Sequence, residues 1–313
     1  MDCREYAQKI IGNIRKVIKG KDGEITVITA AMLAGGNILL EDVPGTGKTV
    51  LAKAAARSLS CGFKRIQLTP DLLPSDITGI HFFNMKEQRF ELRKGPVFTN
   101  ILLADEINRA TPRTQSALLE CMEERQVTID GEELKLEAPF IVIATQNPIE
   151  SSGTFPLPEA QLDRFLIKMS LGYAPREEEG EILTEIGSSH PLDTLETAVD
   201  GSLLPEMQRQ TAEIAVGDAV REYILDIGEA TRNHRSISLG LSTRGLLALK
   251  RMSQALAAVE GVDFVTPDHI QRAAGYVIPH RLITRGISAE SAVKEILSQI
   301  PVPTESVAEN TDR

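Results

Sequence analysis

The chain has 313 residues, long enough for a substantial buried core, and carries a formal net charge of −10 with a sequence pI near 5.2. This acidic balance gives no basic footprint for nucleic acid, and the absence of tryptophan with 4% aromatic residues leaves no stacking platform. The three cysteines, at positions 3, 61 and 121, lack C-x-x-C spacing, so the sequence predicts neither a zinc site nor a disulfide framework.

The most apolar window, residues 25–40, contains Gly35, Gly36 and Asn37 and is too broken to span a membrane. Charged residues at positions 2, 4 and 5 argue against a signal peptide. Together with the unpaired cysteines, these features predict a cytoplasmic protein without membrane insertion.

A phosphate-binding loop is indicated at residues 42–49, between an apolar run at 37–40 and a helix-like stretch at 50–59. Gly45 and Gly47 free the backbone to turn its N–H groups toward phosphates, while Lys48 supplies a cation and Thr49 a hydroxyl for Mg²⁺. Asp42 stands where the pattern expects glycine, which we interpret through its tolerance of left-handed backbone. A plain glycine-rich turn is the alternative. The residues expected to hold the nucleotide here are Val43, Pro44, Gly45, Thr46, Gly47, Lys48, Thr49 and Val50.

A buried strand is predicted at residues 101–104, followed directly by two carboxylates. Asp105 is expected to hold Mg²⁺ through water, and Glu106 to act as general base on the attacking water. A helix N-cap is the alternative for Asp105. Because another strand-like run at 64–68 precedes it, this strand is third in sequence, which favours the catalytic-glutamate group of P-loop ATPases over small GTPases and nucleotide kinases.

Two hairpins are predicted as insertions. Residues 80–83 and 89–93 alternate around a polar turn, and 127–129 and 134–136 flank the turn Asp130-Gly131. A surface decoration and a client-binding role are both open for them. A further apolar strand at 140–144 leads to Asn147, whose amide suits orienting a water molecule, although Asn before Pro148 is also a common turn start.

The alternation of strands and helices stops near residues 172–175, where we place a domain boundary. Beyond it only helical patterns are recognised, and they cover residues 177–186, 218–233, 243–259 and 267–277. The polar tail after Pro301 is predicted to be disordered.

The motifs together resemble the MoxR family of AAA+ ATPases. The resemblance covers about residues 5–285, and the segments that carry it are 39–49, 74–79, 95–98, 104–110 and 115–128. It implies an α/β P-loop AAA+ core with a five-stranded parallel sheet, followed by a small all-α lid domain. The implied domains are a core at 1–173 with hairpin insertions near 80–93 and 127–136, a lid at 174–300 and a tail at 301–313.

The resemblance also implies roles for single residues. Asn147 matches the sensor 1 residue, Arg164 the arginine finger that reaches the nucleotide of a neighbouring subunit, and Arg244 the sensor 2 residue that reaches the phosphates of its own subunit. Ile18 lies in a segment similar to the one that packs against adenine. A surface salt bridge to Asp163 or Glu159 remains the alternative for Arg164, and a solvated helix start the alternative for Arg244; Arg109 and Arg113 remain possible second trans-acting groups.

By resemblance, the protein is expected to use ATP and Mg²⁺ and to form a homo-oligomeric ring, with a hexamer as the expected size. The expected activity is chaperone-like remodelling or maturation of a protein client, and a von Willebrand factor A domain protein follows as a client only by association. A motor acting on nucleic acid is disfavoured by the net charge. A nucleotide-gated scaffold without turnover is disfavoured because both Glu106 and Asn147 are present.

Overall fold

The computed structural model describes residues 1–148, 153–185 and 191–303, in which helices and strands alternate as far as residue 169. The strands are β1 (Ile38–Glu41), β2 (Phe63–Gln67), β3 (Gly79–Asn84), β4 (Arg89–Lys94), β5 (Ile101–Asp105), β6 (Gln126–Ile129), β7 (Glu132–Lys135), β8 (Ile141–Gln146), β9 (Ile167–Met169), β10 (Ile237–Leu239) and β11 (Ile283–Thr284). The helices are α1 (Cys3–Ile14), α2 (Asp22–Leu33), α3 (Lys48–Ser58), α4 (Pro74–Thr78), α5 (Pro112–Glu124), α6 (Glu159–Leu162), α7 (Arg176–Glu185), α8 (Leu204–Ala212), α9 (Asp218–Asn233), α10 (Thr243–Glu260), α11 (Pro267–Val277) and α12 (Ala289–Gln299).

Five parallel strands form the central sheet in the order β2-β5-β8-β1-β9, which confirms the predicted fold class. Every residue of β5 is buried, as are the first five of β8, because helices cover both faces of the sheet. Alternate side chains therefore enter different cores: Ile38 and Leu40 of β1 pack with α1, α2 and the later helices, whereas Leu39 packs with α5.

Both predicted hairpins are present. Strands β3 and β4 pair from Gly79↔Lys94 to Asn84↔Arg89, and β6 and β7 pair from Gln126↔Lys135 to Ile129↔Glu132. The turn residues Asp130 and Gly131 have φ values of 51° and 86°, as the Asp-Gly signal predicts. The two hairpins touch where Nδ1 of His81 lies 2.9 Å from a carboxylate oxygen of Asp130.

In the described residues after 174 the regular elements are helices, apart from a short antiparallel pair, β10 and β11, and an isolated bridge between Ala215 and Phe264. The expectation of helical patterns alone missed this pair, which is too short to give a periodic signal. The predicted helices correspond to α7, α9, α10 and α11, whereas α8 and α12 were not predicted. Helix α1 was also missed, although Tyr6, Ile10 and Ile14 lie on one buried face at helical spacing.

Among the described residues, none of the helices is long and apolar enough to cross a lipid bilayer. All three cysteines are free thiols, and burial raises the pKa of the buried Cys121 thiol to about 12. Most of the tail predicted to be disordered, residues 304–313, lies outside the described residues.

Candidate functional site

Three strand ends meet at one edge of the sheet, which we call the carboxyl edge. The phosphate loop follows β1, and Asn147 follows β8. Asp105 ends β5 and Glu106 comes directly after it, with β8 lying between the other two strands. Parallel strands present their carboxyl ends on the same side, so the sheet itself brings these residues together. The structure thus groups the predicted loop, acidic pair and amide at a single site.

The phosphate loop is shaped by two glycines. Gly45 and Gly47 have φ values of 88° and 85°, a left-handed conformation that side chains disfavour. A Cβ atom at either position would meet nothing within 4 Å, so the backbone conformation, and not crowding, requires glycine. Helix α3 begins directly at Lys48, so its amino terminus and positive dipole end lie beside the loop.

Lys48 folds over the loop. Its Nζ donates to the carbonyl oxygens of Asp42 at 2.7 Å and Val43 at 3.1 Å. Burial lowers the pKa of Lys48, while the nearby carboxylates of Asp42, Asp105 and Glu106 oppose that shift by favouring the charged form. The ammonium group therefore lies within the electrostatic reach of the acidic pair.

Asp42 has a different role from the one predicted. Its backbone φ is not positive, so left-handed tolerance does not explain its place in the loop. Instead its buried carboxylate accepts hydrogen bonds from Ser170 Oγ at 2.9 Å and from the backbone N–H groups of Leu171 and Gly172. Asp42 thereby ties the start of the loop to the segment that follows β9.

The two carboxylates after β5 are organised by Thr145 of β8. Its hydroxyl donates to Asp105 Oδ1 at 2.5 Å and accepts from the backbone N–H of Glu106 at 2.9 Å. Glu106 has φ 57° and ψ 52°, an uncommon conformation for a residue with a side chain, and its carboxylate lies 3.2 Å from Nη1 of Arg109. One hydroxyl thus fixes both the Asp105 side chain and the Glu106 backbone.

Asp105 also pairs with Arg65 of the edge strand β2. Two guanidinium nitrogens of Arg65 lie 2.6 and 3.1 Å from Asp105 Oδ2, and Nη2 of Arg65 also donates to Gln67 at 2.9 Å. The hydroxyl of Thr49 and the carboxylate of Asp105 are hard oxygen donors of the kind that Mg²⁺ binds with several waters, so the residues present fit that ion. A bound Mg²⁺ ion and Arg65 would then both contact the carboxylate of Asp105.

Ile18 lies against the main core in the segment before α2. Lys21, three residues on, donates from Nζ to the carbonyl of Tyr173 at 2.7 Å, next to Gly172, which Asp42 binds. The segment similar to an adenine-binding one is therefore anchored close to the phosphate loop through residues 172 and 173.

Arg164 and Arg244 lie away from these residues, at the opposite end of the sheet, which we call the amino edge. Arg164 precedes β9, and the N–H of Leu166 donates to the carbonyl of Asn37, just before β1. Nε of Arg164 lies 3.0 Å from a carboxylate oxygen of Glu123, and Arg244 binds the other oxygen of Glu123. Neither Asp163 nor Glu159 is the partner of Arg164.

The position of Arg244 corrects one expectation. A sensor 2 role toward the same subunit requires Arg244 to lie by Lys48, but β1 separates them: Lys48 follows its carboxyl end, whereas Arg244 joins Glu123 at its amino end. Four strand residues span about 13 Å. Arg109, by contrast, lies at the carboxyl edge beside Glu106 of its own chain.

Comparisons with known proteins agree with this architecture. Residues 37–167 match the model for the ATPase family associated with various cellular activities, and residues 229–300 match the AAA lid domain. The chain is 48% identical to the uncharacterised protein YeaC of Bacillus subtilis, over 98% of both chains. It is 37% identical to Chaperone MoxR1 of Mycobacterium tuberculosis, over 95% of this chain and 82% of that one. The crystal structure of a candidate ATPase from Cytophaga hutchinsonii superposes with a TM-score of 0.88 at 36% identity, over 96% of each chain.

Proposed function

Because the chain belongs to the MoxR family of AAA+ ATPases, we propose that it binds and hydrolyses ATP with Mg²⁺ and couples hydrolysis to remodelling or maturation of a protein client. The observation that carries the proposal is the grouping of Lys48, Asp105 and Glu106 at the carboxyl edge, with Thr145 joining the two carboxylates. The relatives named chaperone or ATPase support the same activity.

Each residue at the carboxyl edge has a proposed task. The loop from Val43 to Val50 holds the triphosphate by its backbone N–H groups, and Lys48 neutralises the β- and γ-phosphates. Thr49 and Asp105 would hold Mg²⁺, which would supply charge to neutralise the phosphates. Glu106 accepts a proton from the attacking water, and Asn147 orients that water. Ile18 provides apolar contact for the adenine ring of the nucleotide.

We place Arg164 and Arg244 in a neighbour's site. Both lie at the amino edge, where they cannot reach the phosphate loop that follows the other end of β1. A planar guanidinium suits the charge that develops on a transferring phosphoryl group. A head-to-tail contact that brings the amino edge of one subunit to the carboxyl edge of the next repeats around a closed ring. A hexamer is the proposed ring size by family resemblance.

The client is proposed to meet the β3–β4 hairpin. Phe82, Phe83, Met85 and Phe90 are 44%, 47%, 80% and 72% exposed, and Phe83 and Phe90 pack edge to face at 5.3 Å between ring centroids. Clustered exposed aromatic side chains are typical of protein-binding surfaces. A von Willebrand factor A domain client, a cytoplasmic location and domains at 1–173 and 174–300 remain proposals from the sequence.

The proposal is tested with Glu106→Gln, because an amide cannot accept the proton. We expect ATP affinity to stay near wild type while phosphate release falls about a hundred- to ten-thousandfold. Glu120→Gln, an exposed change on α5, is the matched control and should keep wild-type turnover. Retained turnover in the Glu106 variant would overturn the catalytic assignment, and proteins retained by this ATP-bound variant would identify the client.

A further inference from the structure

A charged cleft lies at the amino edge, between the end of α5, the segment before β9 and the start of α10. Its volume is about 440 Å³. The charged residues among those lining it are five arginines and two acids: Arg125, Arg164, Arg244, Arg251, Arg281, Glu123 and Asp163. The described lining is therefore strongly cationic in a chain whose net charge is negative.

One of the two carboxylates that line this cleft binds other partners. Asp163 binds the buried Arg281 at 2.7 Å, and its other oxygen accepts from Ser242 at 3.2 Å. Arg125 and Arg251 donate to the backbone carbonyls of Gly35 and Ala34, which carry no formal charge. Glu123 is the other carboxylate of the described lining, and it contacts both Arg164 and Arg244.

Glu123 contacts both arginines at once, one with each oxygen. The oxygen nearest Arg164 faces Nε, the nitrogen on the side-chain stem, and not the two terminal nitrogens that grip a phosphate bidentately. Arg244 comes from the lid helix α10, whereas Glu123 lies in the last turn of α5 in the core. A single carboxylate therefore joins a core arginine to a lid arginine.

We propose that Glu123 is a positioning residue that holds Arg164 and Arg244 together as one cationic unit, presented to the nucleotide of a neighbouring subunit. The proposal rests on the proposed function. Without the carboxylate, two guanidinium groups in a cleft with three more would repel one another and separate. With the Glu123 carboxylate in place, both guanidinium groups are oriented before the neighbouring subunit docks. Less conformational entropy is then lost on reaching the transition state.

The first test compares Glu123→Gln with Glu124→Gln, an exposed neighbour that makes no ion pair with any described residue. Glutamine keeps the size of Glu123 but removes its charge, so turnover per assembled subunit should fall about ten- to a hundredfold. The KM for ATP should stay within about twofold, because nucleotide is held at the other edge. Glu123→Asp should rescue only partly, since the shorter side chain cannot span both arginines. Glu124→Gln should match wild type.

The second test asks on which side of the interface Glu123 acts. Mixing Glu123→Gln with Glu106→Gln gives interfaces, about a quarter of the total if mixing is random, that join an intact Glu106 site to an intact arginine face. Activity should return in that mixture. Mixing Glu123→Gln with Arg164→Ala should restore nothing, because both damage the same face. Co-assembly is confirmed by native mass spectrometry, and folding by thermal melts.

Two results would overturn the assignment. Wild-type turnover of Glu123→Gln, with Arg164→Ala inactive, would remove Glu123 and leave the proposed function standing. A co-assembled mixture of Glu123→Gln and Glu106→Gln without recovered activity would show that Glu123 acts within its own subunit. By contrast, wild-type turnover of Arg164→Ala would count against the trans-acting arginine of the proposed function itself.

Discussion

Glu106 holds a left-handed backbone conformation that a residue with a side chain rarely adopts, and its surroundings explain why it persists. Its N–H is bound by Thr145, its carboxylate is approached by Arg109, and Asp105 before it is held by Thr145 and Arg65. Such conformations cost on the order of 1 kcal/mol or more and concentrate at functional sites. Ser60, Gln88, Arg125 and Asp130 also have positive φ, so the contacts around Glu106, and not its backbone alone, support placing the general base here.

Arg65 gives a prediction at the scale of one residue. Its guanidinium occupies Asp105 Oδ2 and places a positive charge beside the proposed Mg²⁺ ligand. Arg65→Gln should therefore lower the Mg²⁺ concentration that half-saturates nucleotide binding, by about three- to tenfold. Fluorescent nucleotide binding, titrated with Mg²⁺, measures this without relying on turnover.

Lys64→Gln is the matched control for Arg65. It removes one charge from the next residue of β2, whose Nζ donates to the carbonyl of Gly95, and it should leave the Mg²⁺ requirement unchanged. An increased Mg²⁺ requirement in Arg65→Gln would contradict the proposed competition between Arg65 and Mg²⁺ for Asp105. It would mean that Arg65 supports the ion site.

The residues of the carboxyl edge could be predicted because each follows a local signal: a glycine-rich loop, or an apolar strand ending in polar side chains. The residues that contact them could not be predicted from the sequence. Arg65 meets Asp105 across 40 residues of sequence, and Thr145 meets it across another 40. Such contacts depend on strand order, which no short motif encodes, and the same applies to Glu123 and Arg164.

At the scale of elements, Arg281 is the main tie between the lid and the segment that carries Arg164. Its buried guanidinium donates to Asp163 Oδ1 at 2.7 Å and to the carbonyls of Phe165 at 2.6 Å and Leu166 at 3.2 Å. Gly36 supports the same segment, because a Cβ there would lie 2.3 Å from Leu166. The segment that carries Arg164 is thus held in position by β1 on one side and by the lid on the other.

His280, beside Arg281, makes this junction sensitive to acid. Its Nε2 lies 3.1 Å from the carbonyl of Phe165 and 2.7 Å from Arg281. Burial first, and then the positive charges of Arg281 and Lys168, hold the pKa of His280 well below its usual value. The ring is therefore neutral in the folded protein at neutral pH.

The sign of the pH dependence follows from proton binding. Between the lowered folded pKa and the unfolded value near 6.5, the unfolded chain binds more protons at His280, so the free energy of unfolding falls as pH drops through about 6.5. Its share of the slope is at most about 1.4 kcal/mol per pH unit. His280→Gln cannot titrate and should flatten the slope in denaturant melts between pH 5 and 7. An unchanged slope would show that His280 does not contribute.

Element boundaries were predictable where periodicity was long, as in α9, α10 and α11, whose predicted and observed ranges nearly coincide. Short elements that depend on tertiary partners were not. Strands β10 and β11 have three and two residues, and they pair with each other and contact the helices α9 and α12. Helix α1 did carry an amphipathic signal, which a search for helical spacing before residue 17 would have found.

For the whole molecule, the main feature is the separation of two sets of charged groups at opposite ends of the sheet strands. Lys48, Asp105 and Glu106 lie at the carboxyl edge, and Arg164 with Arg244 at the amino edge. The sequence placed Arg244 with the first set by resemblance, because a motif states which residue is present and not which end of the sheet it reaches. Each subunit is therefore proposed to contribute to two ATPase sites, to its own through the carboxyl edge and to a neighbour's through the amino edge.

The most direct test of this central proposal mixes two inactive variants, Arg164→Ala and Glu106→Gln. Each alone should bind ATP with wild-type affinity and fail to turn it over, since one lacks the neighbour's cation and the other its own base. Once mixed and co-assembled, interfaces that pair an intact Glu106 with an intact Arg164 should restore partial ATPase activity, rising with protein concentration. A co-assembled mixture that stays inactive would contradict a site shared between subunits.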